Sequence, residues 1–148
     1  MTAGAAPLKD DQVPVIQLDC KIRKHWRPVS DVVIDGGAGV NIMSEQTRRN
    51  LGITNVKDAP FRVRMADQRI VQPLGMIENI PVKAGGFKFS ASFLLLDVGD
   101  SYGMLLGRPW LRVANALHDW QLNTVTLRSR GKSAVLQTNS NTKLEMLC

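Results

Sequence analysis

From Val15 the chain alternates. Ile16, Leu18, Cys20 and Ile22 fall on one face of an extended segment, with Gln17, Asp19, Lys21 and Arg23 on the other. Period two is the spacing of a half-buried strand. Residues 24–28 hold charge and a proline and read as a hairpin connection. Val32, Val33 and Ile34 follow as a β-branched run, suited to a strand buried on both faces. That run stops abruptly at Asp35-Gly36-Gly37-Ala38-Gly39. A short helix is predicted next, with Ser44 as N-cap, Glu45 in the first turn and Gly52 after Leu51 as the stop. Phe61, Val63 and Met65 alternate with Arg62 and Arg64 as another strand, 66–69 is polar and turn-like, and the apolar pattern resumes at Ile70. Residues 80–82 and 87–96, around Gly85-Gly86, supply further strands. Met104-Leu105-Leu106 is an apolar run leading into Gly107-Arg108-Pro109, and Pro109 fits the first turn of a helix over 110–117. Trp120, Leu122, Val125 and Leu127 bracket Asn123-Thr124 as a closing strand or hairpin.

Many short strands with regular turn signals predict an all-β sandwich or barrel carrying one or two short helices. At 148 residues the chain is one domain, large enough to bury most of its apolar surface without covalent staples. Residues 1–12 are small and polar and read as a flexible segment, 13–128 as the folded domain, and 129–148 as a polar tail with Val135 and Leu136 its apolar pair.

Charge changes the picture little. Nineteen Lys and Arg against thirteen Asp and Glu give a net charge of +6, but no block of five like charges occurs. Nucleic acid is therefore not expected as a partner, and an RNA-binding β-barrel rests on the net charge alone. The longest apolar run, 93–96, is far short of the roughly twenty residues a membrane helix needs, so no membrane partner is expected either. Cys20 and Cys148 form no metal-ligand spacing or disulfide framework, and Cys20 falls on the inward face of its strand as an inert thiol. His25 and His118 have no ligand-spaced partners, so neither metal nor cofactor is expected. With no signal pattern at the N-terminus, a cytoplasmic location is expected, or one within virus-like particles.

The chemically suggestive feature is Asp35, a carboxylate at the end of a buried strand on a turn of glycines that permit close approach and positive φ. Two facing carboxyls can share one proton, because like charges about 3 Å apart cannot both ionise. One is then base for an attacking water, while the other polarises the scissile carbonyl. Asp97-Val98-Gly99 also follows an apolar run, but Val98 offers no hydroxyl, and the chain is too short for two such lobes. A second copy related by a two-fold axis would supply the partner carboxyl.

Val33-Ile34-Asp35-Gly36-Gly37-Ala38 with Val40-Asn41-Ile42-Met43-Ser44 resembles the active-site segment of retropepsins, and Met104 to Leu111 resembles their second signature. The wording is most similar to proteases of plant gypsy-type retrotransposons, with likeness also to DNA-damage-inducible retropepsins. About seventy residues separate the signatures, with room for a flap hairpin between them, and the likeness spans residues 13–128. It implies a closed acid-protease barrel, functional as a symmetric homodimer, that hydrolyses its own polyprotein as an extended chain. Asp35 would be catalytic, while Gly36, Gly37 and Ala38 would form the active-site loop. Met65, Ala66, Asp67, Gln68, Arg69 and Ile70 would close over peptide. Leu105, Leu106, Gly107 and Arg108 would support the loop from behind.

Two positions depart from the family pattern. Gly36 stands where Ser or Thr usually contributes a hydroxyl across the dimer, and Gly39 where several relatives have an Asp for the arginine at position 108. A retropepsin-like module with weakened catalysis is the alternative these departures support. Two plainer readings carry less. Asp35-Gly36-Gly37 alone could be a tight turn. Residues 37–42 as a phosphate-binding turn would lack the third glycine, which is Ile42 here.

Overall fold

A computed structural model describes residues 14–140. Strand β1 (Pro14–Ile22) turns back through Arg23 and Lys24 into β2 (His25–Ile34), and then come β3 (Ile42–Ser44) and helix α1 (Glu45–Leu51). A small hairpin, β4 (Val63–Arg64) and β5 (Ile70–Val71), precedes a long one, β6 (Gly75–Ala84) and β7 (Phe87–Leu96). After β8 (Met104–Leu106) and α2 (Arg108–Val113) come β9 (Leu117–Asp119), β10 (Thr124–Ser129), β11 (Lys132–Gln137) and β12 (Asn139–Ser140). Neither helix is long enough to cross a membrane.

Six strands close into a barrel in the order β1-β2-β8-β3-β7-β6, and β6 returns to β1 through Asp19↔Lys83 and Cys20↔Val82. Closure leaves those two strands no open edge where they meet. The middle of the sheet is mixed: β2 runs parallel to β8, β3 antiparallel to β8, and β3 parallel to β7. This places the two short strands β3 and β8 side by side, flanked by long ones. Their side chains are wholly buried, which explains why Ile42, Met43, Met104, Leu105 and Leu106 are apolar without alternation. Of the all-β sandwich or barrel that the pattern left open, the structure is the closed barrel the family resemblance implied, and it carries two short helices.

The core falls into two parts. The larger holds Ile16, Leu18, Cys20, Phe93, Trp110 and Leu127 among others. The smaller gathers Val33, Ala38, Val40, Ile42, Val63, Met65, Tyr102 and Leu105, beneath the loop that follows β2. Burial pushes the Cys20 thiol up to about 12, with Asp19 adding to it, so the thiol is inert.

Several boundaries differ from those expected. Residues 25–28 belong to β2 rather than to a connection, because the turn needs only Arg23 and Lys24, with Arg23 at φ 59°. Pro28 is tolerated because β8 covers only Val32 to Ile34, leaving β2 one neighbour at the proline. Strand β3 lies unannounced between the glycine loop and the helix cap. Helix α2 stops at Val113 instead of reaching 117, since Asn115 turns to φ 48° and Leu117 enters β9. Asp119 accepts the amides of Gln121 and Leu122, so Trp120 and Leu122 ride in an exposed turn rather than on a strand. The segment expected as a polar tail from 129 forms β11, paired with β10, and β12, paired with β1. The expected boundary after 128 thus lies inside β10. The expected flexible segment at 1–12 and Cys148 lie outside the described residues.

Candidate active site

The loop after β2 is held by the strand that enters beside it. Asp35 N–H donates to Leu106 O at 3.0 Å, continuing the β2–β8 ladder by one bond, and Ala38 N–H donates to Asp35 O at 3.2 Å. Arg108 N–H donates to Ala38 O at 2.9 Å. The two apolar signatures therefore meet as one knot. Its tightest point is Gly107, where a Cβ would sit 2.3 Å from Val40 O and 2.7 Å from Ala38 O. Only a residue without a side chain permits that approach.

Asn41 fastens the knot. Its Oδ1 accepts from Gly107 N–H at 2.9 Å, its Nδ2 donates to Ser92 O at 3.1 Å, and its carbonyl accepts from Leu94 N–H at 2.9 Å. The side chain is 5% exposed, so these bonds satisfy a buried amide that would otherwise be costly. Sequence reasoning missed this role for Asn41. The signal was present, as a lone polar residue inside the run Val40-Asn41-Ile42-Met43 needs buried hydrogen-bond partners.

At the loop's surface Asp35 is half-buried, and its Oδ1 accepts Gly37 N–H at 2.8 Å. Burial raises the carboxyl above the ordinary aspartate range, while the Gly37 amide and the Arg108 guanidinium pull the other way. A carboxyl poised by opposed effects is the kind that can exchange a proton in a cleft. Tyr102, 2% exposed in the cluster below, has its phenol pushed up by burial and by the Asp35 charge. Its hydroxyl meets no hydrogen-bond partner among the described residues.

The loop glycines act differently from expectation. Gly36, Gly37 and Gly39 do not have positive φ. Gly37 instead lets its amide reach the carboxylate, since a Cβ there would be 3.2 Å from Asp35 Oδ1. Gly36 has open space around it, for a Cβ at that position would come no closer than 3.9 Å to its nearest neighbour, Leu111 Cδ1. Arg108 finds a partner despite Gly39, as its Nη1 donates to Gly36 O at 3.2 Å. Leu105 and Leu106 are fully buried on opposite sides of β8, one in each core cluster.

The expected flap residues form the β4–β5 hairpin and its tip. Met65 N–H donates to Arg69 O at 2.7 Å, and Gln68, at φ 74°, donates its N–H to Met65 O at 3.0 Å. Asp67 accepts from both the Arg69 amide and Nε, at 3.1 and 2.7 Å. Val63 and Met65 pack into the cluster with Ala38 and Val40, bringing the hairpin against the Asp35 loop. Asp67, Gln68, Arg69 and Ile70 are exposed. Between the tip and the segment after β7 lies a cavity of about 390 Å³ lined by Met65, Val71, Leu74, Leu96 and Val98, with Arg69 and Asp97 as charged members. Among the described residues no cluster of His, Cys, Asp and Glu could hold a metal ion.

A family model described as aspartyl protease matches residues 18–110, well over half of the chain. No curated protein matches it. A solved structure, the retroviral protease-like domain of Ddi1 from Leishmania major, superposes with a TM-score of 0.62 at 19% identity. The match covers 86% of this chain and 98% of that one, which establishes a retropepsin-like fold.

Proposed function

Because the chain belongs to this aspartyl protease family, we propose that it is an aspartic endopeptidase assembled as a homodimer, with one Asp35 from each copy sharing a proton. The observation that carries this is the Asp35 carboxyl itself. It sits half-buried on a loop pinned by β8 and beside a hairpin, with its affinity for a proton raised by burial. In the paired state one carboxylate takes a proton from water, and the other, protonated, hydrogen-bonds the scissile carbonyl. The pair titrates as a unit. The substrate would be an extended polypeptide added as a strand beneath the hairpin tips, with a retroelement polyprotein of gypsy type as the natural one. Chemistry of this type uses no metal and forms no covalent intermediate.

The test is cleavage of a diverse peptide library across about pH 4 to 7 at high protein concentration, beside an Asp35→Asn copy. Cleavage that disappears in the variant supports the proposal. Equal cleavage by both removes Asp35 from the mechanism.

Gly36 favours a second reading, a dimerisation or peptide-binding module with weakened catalysis. The absent hydroxyl is not forced by packing, since a Cβ there meets nothing closer than Leu111. Gly36→Ser should therefore fold normally and add about 1 kcal/mol per hydrogen bond regained across the dimer. A rise in cleavage and a tighter dimer support the protease reading. A tighter dimer that still fails to cleave supports the module.

A further inference from the structure

At the other end of β2, the outer surface of the barrel carries a cluster that the Asp35 site does not use. Trp26 lies opposite Lys21 in the β1–β2 ladder. Next to it, Lys83 of β6 faces Asp19 on β1 and Lys88 on β7. Three ammonium groups converge on one indole: Lys83 Nζ at 4.5 Å from the ring centroid, Lys21 at 5.8 Å and Lys88 at 5.9 Å. Lys83 and Lys88 are direct cross-strand partners, an arrangement in which like charges repel. Among the described residues, no carboxylate comes within ion-pair distance of any of the three. Arg23 and Lys24, in the turn of the same β1–β2 hairpin, add two more cations.

We propose that this face binds single-stranded nucleic acid, its lysines contacting the phosphate backbone and Trp26 offering a platform for a base. Lysine ammonium groups are compact point charges that bind phosphate oxygens and carboxylates alike, and it is the indole among them that favours a nucleic acid, whose bases can stack, over an acidic peptide. Stacking on an aromatic ring beside a cationic track is how single strands are held without sequence preference. A lipid surface fits less well, because none of the large exposed apolar side chains belongs to β1, β2, β6 or β7. Reading charge along the chain missed this, since the fold gathers Lys21, Lys83 and Lys88 from three strands. Trp26 precedes Asp35 by nine positions of extended chain, so roughly 30 Å separates the two sites and both can be occupied.

The test is fluorescence anisotropy of a labelled oligothymidylate with the full chain over a range of salt. Three phosphate contacts give a log–log slope near −2, at about −0.7 per contact. Lys83→Gln with Lys88→Gln should lower affinity about 25-fold at 0.1 M salt and flatten the slope by about 1.4. Arg130→Gln with Lys132→Gln removes the same charge at the β10–β11 turn and should leave affinity near that of the parent. Trp26→Leu, confirmed folded by circular dichroism, should weaken binding while keeping the slope. Equal losses in the two charge variants would mean diffuse attraction and overturn the proposal. So would the absence of binding at low salt. Competition by polyglutamate as effective as by unlabelled oligothymidylate would assign the face to acidic peptides and also overturn it.

Discussion

The Asp35 loop and the hairpin tip at 66–69 rest on the same small apolar cluster, yet they are held in opposite ways. The loop is tied to distant chain: Asp35 to Leu106, Ala38 to Arg108, Gly36 to Arg108 and Asn41 to both Gly107 and Ser92. The bonds of the tip span at most four residues, from Met65 to Arg69, Arg64 to Gln68 and Asp67 to Arg69. Several long-range bonds, with the Asn41–Gly107 one buried, over-determine geometry, as a group that must meet its partner precisely in space requires. Local bonds at an exposed tip permit opening at little cost to the rest of the fold, which suits a segment proposed to admit and cover a peptide.

Breaking the loop's knot should have the largest effect. Gly107→Ala places a methyl carbon inside contact distance of two backbone oxygens, neither of which can swing aside as a side chain could. We expect a loss of about 3 kcal/mol or more, or no folded protein, read by urea denaturation. A variant of unchanged stability would show that the loop is free to yield. Asn41→Leu should come next, at about 2 kcal/mol, because it leaves the buried Gly107 amide without a partner and removes the bond to the Ser92 carbonyl. If the variant retains full stability, the tie between the two signatures is not what holds the loop.

How far this contrast is legible in the sequence differs between the regions. A polar stretch between alternating segments points to a tip at 66–69, and the hairpin lies there because short-range turns are written in short-range sequence. Helix α1 is similarly plain, with Ser44 capping Thr47 N–H and Gly52 closing in the left-handed region at φ 74°. The β6–β7 hairpin is readable from Gly85-Gly86, both at positive φ. The knot is legible in composition but not in cause. Glycine at 107 can be recognised as a signature, yet only the pairing of β8 with β2 and β3 shows which backbone it must admit. Strand β3 escapes because three residues carry no periodicity. Strand β11 escapes because its apolar positions, Val135 and Leu136, look like scatter until β10 is beside them. The lysines around Trp26 escape for the same reason, since proximity across strands has no linear trace.

A subtler comparison comes from the carboxyl at the loop's surface. Burial raises Asp35 above its unfolded value, so the folded state binds the proton more tightly than the unfolded chain does. Stability from this group is therefore present at low pH and lost as pH rises through the folded value. Asp35→Asn keeps an oxygen for the Gly37 amide and never ionises. Measured in dilute protein, it should be modestly more stable than the parent at pH 7, with the difference vanishing below about pH 3, where both states are protonated. The gain is small because the carboxyl is only half-buried. A variant less stable at pH 7 than the parent would mean that Arg108 outweighs burial.

The smallest effect should come at the tip. Gln68 sits at φ 74°, which costs an L-residue about 1 kcal/mol relative to the right-handed region. Gln68→Gly relieves that strain but frees the unfolded chain by a similar amount, roughly 0.4 to 1 kcal/mol. Gln68 contributes its backbone amide and carbonyl to the turn, and both survive the substitution. Global stability should therefore stay within about 0.5 kcal/mol of the parent, since the two terms nearly cancel. Amide exchange should speed up at Met65 and Gln68 and stay unchanged at Asp35 and Arg108, whose amides are tied elsewhere. Faster exchange at Asp35 or Arg108 would show that the tip and the loop open as one unit, and the distinction between a locally held hairpin and a globally held loop would fall.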